Sequence, residues 1–403
     1  MRISVFLAFS ALLTILLSGA NVVADDIAVR IEPDTNRGLA SAVVVDDTVL
    51  LHTTQILPSA SSAELEMISA EDQFKDVMNQ LRKIIAAGHA PVLLKLNLYV
   101  ASEDDCDAIL KSLPRHFPEG GQPAVSLVVT RLPLDYALIA ADAVACDLRA
   151  PGRMTSLSSQ SAALPRGSRI YISGQAEQSE SLAEATKETL QSLHRTLEFL
   201  GRTDDDIVQL KVFVQPMSDH LTVRAEVEKF FSGKTIPPLV LVEWKSSKTT
   251  PVEIELIAAG GEPNPNAPSM EFLTPPGMTA SPVYCRVCRI NDSKTIYVSG
   301  LYSSHDRTAH PDPTANGDRE VQNIFASLDR ILKQTGSDFQ HLAKATYYVS
   351  TDAASVSLNK LRPGFYDPNR PPAASKAVVD SVGINGLGLT LDMIAAPAES
   401  LKK

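Results

Sequence analysis

Cys285 and Cys288 flank two residues as Cys-Arg-Val-Cys, a spacing that serves thiol–disulfide exchange or zinc. A reactive pair of that kind wants a helix N-terminus to lower a thiol pKa. Here the pair lies in residues 283–290, which read as a strand running into the turn at Asn291 and Asp292. In an extended chain, residues three apart are separated by about 10 Å, too far for a disulfide. The two cysteines therefore read as strand residues. Spacing alone assigns no pairing to the full set of Cys106, Cys146, Cys285 and Cys288. His305, Asp306, His310 and Asp312 are metal-ligating types, but their Thr-, Pro-, Asn- and Gly-containing surroundings read as a polar surface loop. No zinc motif, phosphate loop or Ser/His/Asp triad stands out, so neither a metal nor a cofactor is expected. Lys95, Lys211 and Lys344 recur at one place in three similar segments. A lysine on a strand edge guards against edge-to-edge association, and that is the role this recurrence suggests.

The elements that carry these residues repeat three times along the chain. A strand opens each copy: 48–54, 169–175 and 295–300. Long amphipathic helices follow at about 73–87, 183–200 and 319–335, with apolar residues three and four apart, as in Leu190, Leu193 and Leu197. Gly88, Gly201 and Gly336 stand where a helix C-terminus calls for glycine. Second strands, 94–100, 210–214 and 343–349, carry the repeated lysines. Shorter helices come near 104–113, 220–231 and 354–361. Strands beginning at Pro123, Pro238 and Pro372 lead to closing strands at 136–145, 252–258 and 387–395. A Ser-rich connection near 150–165 and a Pro/Asn-rich one near 260–276 separate the copies. The order predicts an α+β fold, with one sheet in each copy covered on one face by two helices.

The chain has 403 residues, and its 37 Lys+Arg against 47 Asp+Glu leave a net charge of -10. That balance argues against a general nucleic-acid coat, which needs a basic face to displace counterions. Arg2, the apolar run from Val5 to Leu17 and small residues up to Ala24 have the form of a secretory signal peptide. The expectation is residues 1–24 as signal, a mature chain exported to the periplasm or beyond, and no membrane span afterwards.

The second copy has Ile170–Gln175, Leu197–Gly201, Leu210–Val214, Phe230–Phe231, Pro237–Pro238 and Val252–Ala258. This block resembles the Rid family (reactive intermediate deaminase, also YjgF or L-PSP endoribonuclease). Gln122–Pro133 in the first copy, and Tyr297–Gly300 with Pro372–Val379 in the third, are similar to the same pattern. The resemblance implies three tandem chorismate-mutase-like domains at 27–148, 152–260 and 279–397, with a linker at 261–278. The family's usual trimer then implies an internal pseudo-trimer from one chain, with ligand clefts between copies.

The resemblance also implies hydrolysis of amino-acid-derived enamines or imines. The family's carboxylate-binding arginine falls at Val125, Leu239 and Ala374, and none of these is arginine. Its glutamate is kept as Glu253, while Ala140 and Thr390 stand at the matching positions. Glu253 is thus the expected catalytic group. Gln175, Arg224 and Lys376 are expected substrate-binding residues, with Lys376 two residues beyond Ala374 on one strand face. The expected partner is a small molecule, with no nucleic acid. The function is read as a deaminase or, since the arginine is lost, as a non-catalytic small-molecule binder. Ribonuclease activity, after the family's older name, is weakened by acidic charge and export.

Overall fold

The computed structural model describes residues 28–117, 119–146, 160–292, 294–303 and 317–398. The proposed signal segment and the His305–Asp312 stretch lie outside the described residues. The first block comprises β1 (Ala28–Asp34), β2 (Leu39–Val45), β3 (Leu50–Thr53), α1 (Ser62–Leu65), α2 (Ala70–Ala87), β4 (Val92–Val100), α3 (Glu103–His116), β5 (Ala124–Val129) and β6 (Ile139–Cys146). The second comprises β7 (Ser161–Leu164), β8 (Ser168–Gln175), α4 (Leu182–Phe199), β9 (Ile207–Val214), α5 (His220–Phe230), β10 (Leu239–Glu243) and β11 (Val252–Gly261). The third comprises β12 (Met270–Leu273), β13 (Val287–Ile290), β14 (Thr295–Val298), α6 (Gly317–Gln334), β15 (Leu342–Val349), α7 (Asp352–Leu361), β16 (Ala373–Val378) and β17 (Leu389–Ala395). Among the described residues, no helix is long and apolar enough to cross a membrane.

Two of the long helices, α2 and α4, start where a hydroxyl satisfies a free backbone N–H. Ser69 accepts from Asp72, and Ser181 from Glu184. Gly201 and Gly336 take the left-handed conformation that ends α4 and α6. After α2 the left-handed residue is His89 rather than Gly88. Gly88 has a different reason to lack a side chain: a Cβ there would sit 2.7 Å from Leu51.

The strand order is the same in each block: β5-β4-β6-β3, β10-β9-β11-β8 and β16-β15-β17-β14. The outermost strand of each run comes from elsewhere in the chain. β7 pairs with β3, β13 with β8, and β2 with β14. The segment expected to be a plain linker contains β12, which pairs with β13. One face of each run packs on its own helices, through Phe74, Val77 and Leu81 of α2, Leu190, Leu193 and Leu197 of α4, and Ile324, Phe325 and Leu328 of α6. The other faces meet in shared apolar clusters. One joins Tyr99, Phe213, Trp244 and Tyr348 from all three blocks.

The repeated lysines lie at that shared centre, not on edges: Lys95 is 3%, Lys211 5% and Lys344 7% exposed. The edge-guard expectation fails because their strands are interior in each run, with a neighbour on both sides. The register also separates them. Asn97, Lys211 and Thr346 lie opposite Asp142, Glu255 and Asp392 on the closing strands. Lys95 and Lys344 sit two residues earlier, where the second block has Gln209. Lys95 pairs with Asp392 at 2.8 Å, and Lys344 with Glu255 at 2.7 Å. Lys211 feels Asp142 electrostatically and lies 5.9 Å from the centre of the Tyr99 ring. Tyr99 in turn donates to Asp142 at 2.6 Å. The relation is cyclic: first block to third, third to second, second to first. The groups border a small central cavity of about 30 Å³, roomy enough to hold water.

Burial alone would raise the Asp392 carboxyl, but the ammonium groups of Lys95, Lys211 and Lys344 reverse this and hold it at about 2. Because that value lies below the ~3.9 of an unfolded aspartate, the stabilisation is full above pH ~4 and fades as pH falls towards 2. Acid unfolding followed by circular dichroism should show this loss, and Asp392→Asn should flatten it. Replacing Lys95 with Met strands Asp392 in the interior and should cost about 3–5 kcal/mol in urea unfolding. The pair Lys95→Met with Asp392→Leu should recover most of it. A single variant of wild-type stability would show that the ring does not join the blocks.

Candidate active site between the second and third blocks

Glu253 stands on β11 opposite Phe213 of β9. Its side chain lies over Gly174 near the end of β8, and a Cβ at position 174 would come within 1.9 Å of Glu253 Oε1. Glycine is therefore required for close approach. Across the junction, the Gly174 N–H donates to Ser375 Oγ at 3.1 Å. Ser375 also hydrogen-bonds to the Glu253 carboxylate. Arg286, just before β13, is fixed at the same junction because the Ser173 N–H donates to its carbonyl at 3.0 Å. Its guanidinium lies 5.1 Å from the centre of the Tyr284 ring, and Nε donates to the Thr279 carbonyl at 3.2 Å.

This packing removes most hydration from Glu253, although part of the side chain remains open. Loss of hydration pushes its carboxyl up to about 7; Ser375 and Arg286 pull it down, and Glu255 pushes it up. A carboxyl near neutrality can both take and return a proton at ordinary pH.

The register aligns the junctions and shows how they differ. Ala140, Glu253 and Thr390 are equivalent, being opposite Tyr99, Phe213 and Tyr348. At the third–first junction, Gly300 faces Ser126 and Thr390, and Thr390 donates to the Leu301 carbonyl at 3.0 Å. At the first–second junction, Gln55 donates through its amide to the Leu241 carbonyl at 2.9 Å and receives the Leu241 N–H at 3.3 Å. The first of these offers hydroxyls without a carboxyl, and the second is locked by its own amide.

Of the other expected ligands, Gln175 is buried and donates to Thr196 of α4 at 2.8 Å, within its own block. Arg224, on α5, acts on His220 together with Asp135 of the first block. Lys376 faces α7, where its ammonium donates to Ser355 at 3.1 Å and Asn359 at 3.4 Å. Val125, Leu239 and Ala374 are indeed equivalent in register, opposite Leu96, Leu210 and Ala345. Val125 and Leu239 pack into the helix-side cores, as Ala374 does more loosely. Ser375 and Arg286 were not anticipated. The recurrence of serine at Ser126 and Ser375, one residue after Val125 and Ala374, was the available signal for the first. All four cysteines are free and buried, and burial pushes Cys285 up to about 12. Among the described residues, no group of three or more His, Cys, Asp or Glu could hold a metal ion.

Residues 151–260 match the family model described as Endoribonuclease L-PSP. The YjgF gene product from E. coli is similar at 31% identity, over 23% of this chain and 81% of that one, with a TM-score of 0.22. A Rid-family protein of unknown function from Yersinia pestis is similar at 16% identity, over 32% and 99%, with a TM-score of 0.29. A chorismatase structure is similar at 11% identity, over 76% and 93%, with a TM-score of 0.26. No curated protein matches the chain. The family-model match makes the second block, residues 151–260, similar to the YjgF/L-PSP family.

Two titrations test the site. Infrared or NMR titration of Glu253 should find its midpoint near 7, and Ser375→Ala should raise it further by removing a bond to the charged form. Gly174→Ala should displace the carboxylate and lower the midpoint towards the ordinary glutamate value. A Glu253 midpoint near 4.3 in the parent protein would rule out the buried acid described here.

Proposed function

We propose that the protein is an exported Rid-type hydrolase of small amino-acid-derived enamines or imines, built as an internal pseudo-trimer of three Rid-like copies. The observation that carries the reading is Glu253, a carboxyl raised to about 7 at an inter-block junction. Its role would be to deprotonate the attacking water and return the proton to the departing amine nitrogen. Gly174 makes room for it, and Ser375 orients it. The recurring strand order, the two central ion pairs between blocks and the attraction of Lys211 to Asp142 support the pseudo-trimer.

The second reading is a binder without turnover. It is favoured by the absence of arginine at Val125, Leu239 and Ala374. Ammonia and keto-acid release from imines generated in situ separates the two. The deaminase reading expects release that falls at least 100-fold in Glu253→Gln, with the rate rising through a Glu253 pKa near 7. Release that is absent across several imines, or equal in the variant, would leave only the binder. A single-chain mass in solution tests the pseudo-trimer; a stable three-chain particle would overturn it.

A further inference from the structure

Lys376 and Arg362 form a pair of like charges inside the third block. Tyr347 lies opposite Lys376 across the β15–β16 pairing. The Arg362 guanidinium stacks 4.9 Å from the centre of that same Tyr347 ring. Arg362 is 8% exposed, and its Nε is buried without a hydrogen-bond partner among the described residues. Lys376 is half-buried, and burial and the Arg362 charge both lower its pKa. Its bonds run to a hydroxyl and an amide, Ser355 Oγ and Asn359 Oδ1, not to a carboxylate. Among the described residues, no ion pair joins either cation to an acid. The contrast with the central ring is sharp, because there each strand lysine has carboxylates close by. The positions equivalent to Lys376, opposite Leu98 and Val212, are Leu127 and Leu241. Both are core residues, so the fold does not require a cation at this place.

Two adjacent, partly desolvated cations without a counter-charge repel each other and are stabilised by an anion carrying two charges. We propose that Lys376, Arg362 and Ser355 form a binding subsite for a dianion of the phosphate-monoester class. Lys376 is only partly buried, so its ammonium is reachable from solvent. The Lys376 ammonium and the Ser355 hydroxyl would donate to the anion directly. Arg362 would supply charge from below, held in place by Tyr347. Ser375, with its link to Glu253, lies on the opposite face of the same strand. The subsite is therefore separable from the proton-transferring carboxyl and does not rest on the deaminase reading.

Calorimetric titration of the full chain with inorganic phosphate tests this, with chloride and acetate at matched ionic strength as controls. Phosphate should bind at least 10-fold tighter than either monoanion. Lys376→Met should weaken it at least 10-fold, Lys376→Arg should retain most of it, and Glu253→Gln should leave it unchanged. Thermal melting of each variant checks folding, and Ser355→Ala, a mild surface change, should weaken binding several-fold. Phosphate binding no tighter than chloride, or equal in Lys376→Met, would overturn the proposal. Loss of phosphate binding in Glu253→Gln would also overturn it, by moving the anion to the other face of β16.

Discussion

Three lysines and three carboxylates buried at one centre constrain the rest of this molecule. Removing an ion from water costs several kcal/mol even after relaxation, and attraction to a partner recovers that cost only at short range. Asp142, Glu255 and Asp392 each belong to a different block. Lys95 and Lys344 reach carboxylates of neighbouring blocks at 2.8 and 2.7 Å. No block taken alone offers those partners. Separated, each would expose an apolar sheet face with a charge set into it. The ring thus favours one assembled arrangement over looser ones, while the apolar area around Phe213, Trp244 and Tyr348 supplies the attraction. Exchange of β7, β13 and β2 between runs adds backbone hydrogen bonds across the same boundaries.

The succession of elements was legible because its signals are local. Helix periodicity and terminal glycines placed α2, α4 and α6 to within a few residues. Recurrence also put Val125, Leu239 and Ala374 at positions equivalent in register. The lysines show the limit of such reading. A polar residue inside an apolar strand reads as an edge when its strand neighbours are unknown, and here the neighbours come from other blocks. The offset of Lys211 was invisible for a related reason. A shift of two residues keeps the same face, and only pairing with Glu255 rather than Ile257 reveals it. Strand exchange was hidden as well, since β7 falls in the Ser-rich stretch read as a connection and pairs with β3 of another block.

The site was legible by residue but not by assembly. Glu253 stood out, whereas the partners expected from its own block do not meet it. Gln175 is spent on Thr196, and Arg224 bears on His220 of its own helix. A junction takes one wall from each of two blocks, so residues close in sequence face different junctions. Ser375 is more than a hundred residues from Glu253, and nothing in local pattern links them.

On the proposed pseudo-trimer, fusion into one chain gives a reason for the inequality of the junctions. In an assembly of identical chains, a change at one junction appears at all of them, so a feature that suits one but harms another cannot persist. In a single chain, each position varies separately. Gln55 closes one junction with its amide, Thr390 leaves another without a carboxyl, and Glu253 keeps an acid at the third. The central ring is subject to the opposite pressure. Ion pairs cross two of the boundaries and the attraction of Lys211 to Asp142 crosses the third, so loss of one charge leaves another buried elsewhere. Chemistry is therefore free to diverge at the rims, while the charge balance at the centre is held in common.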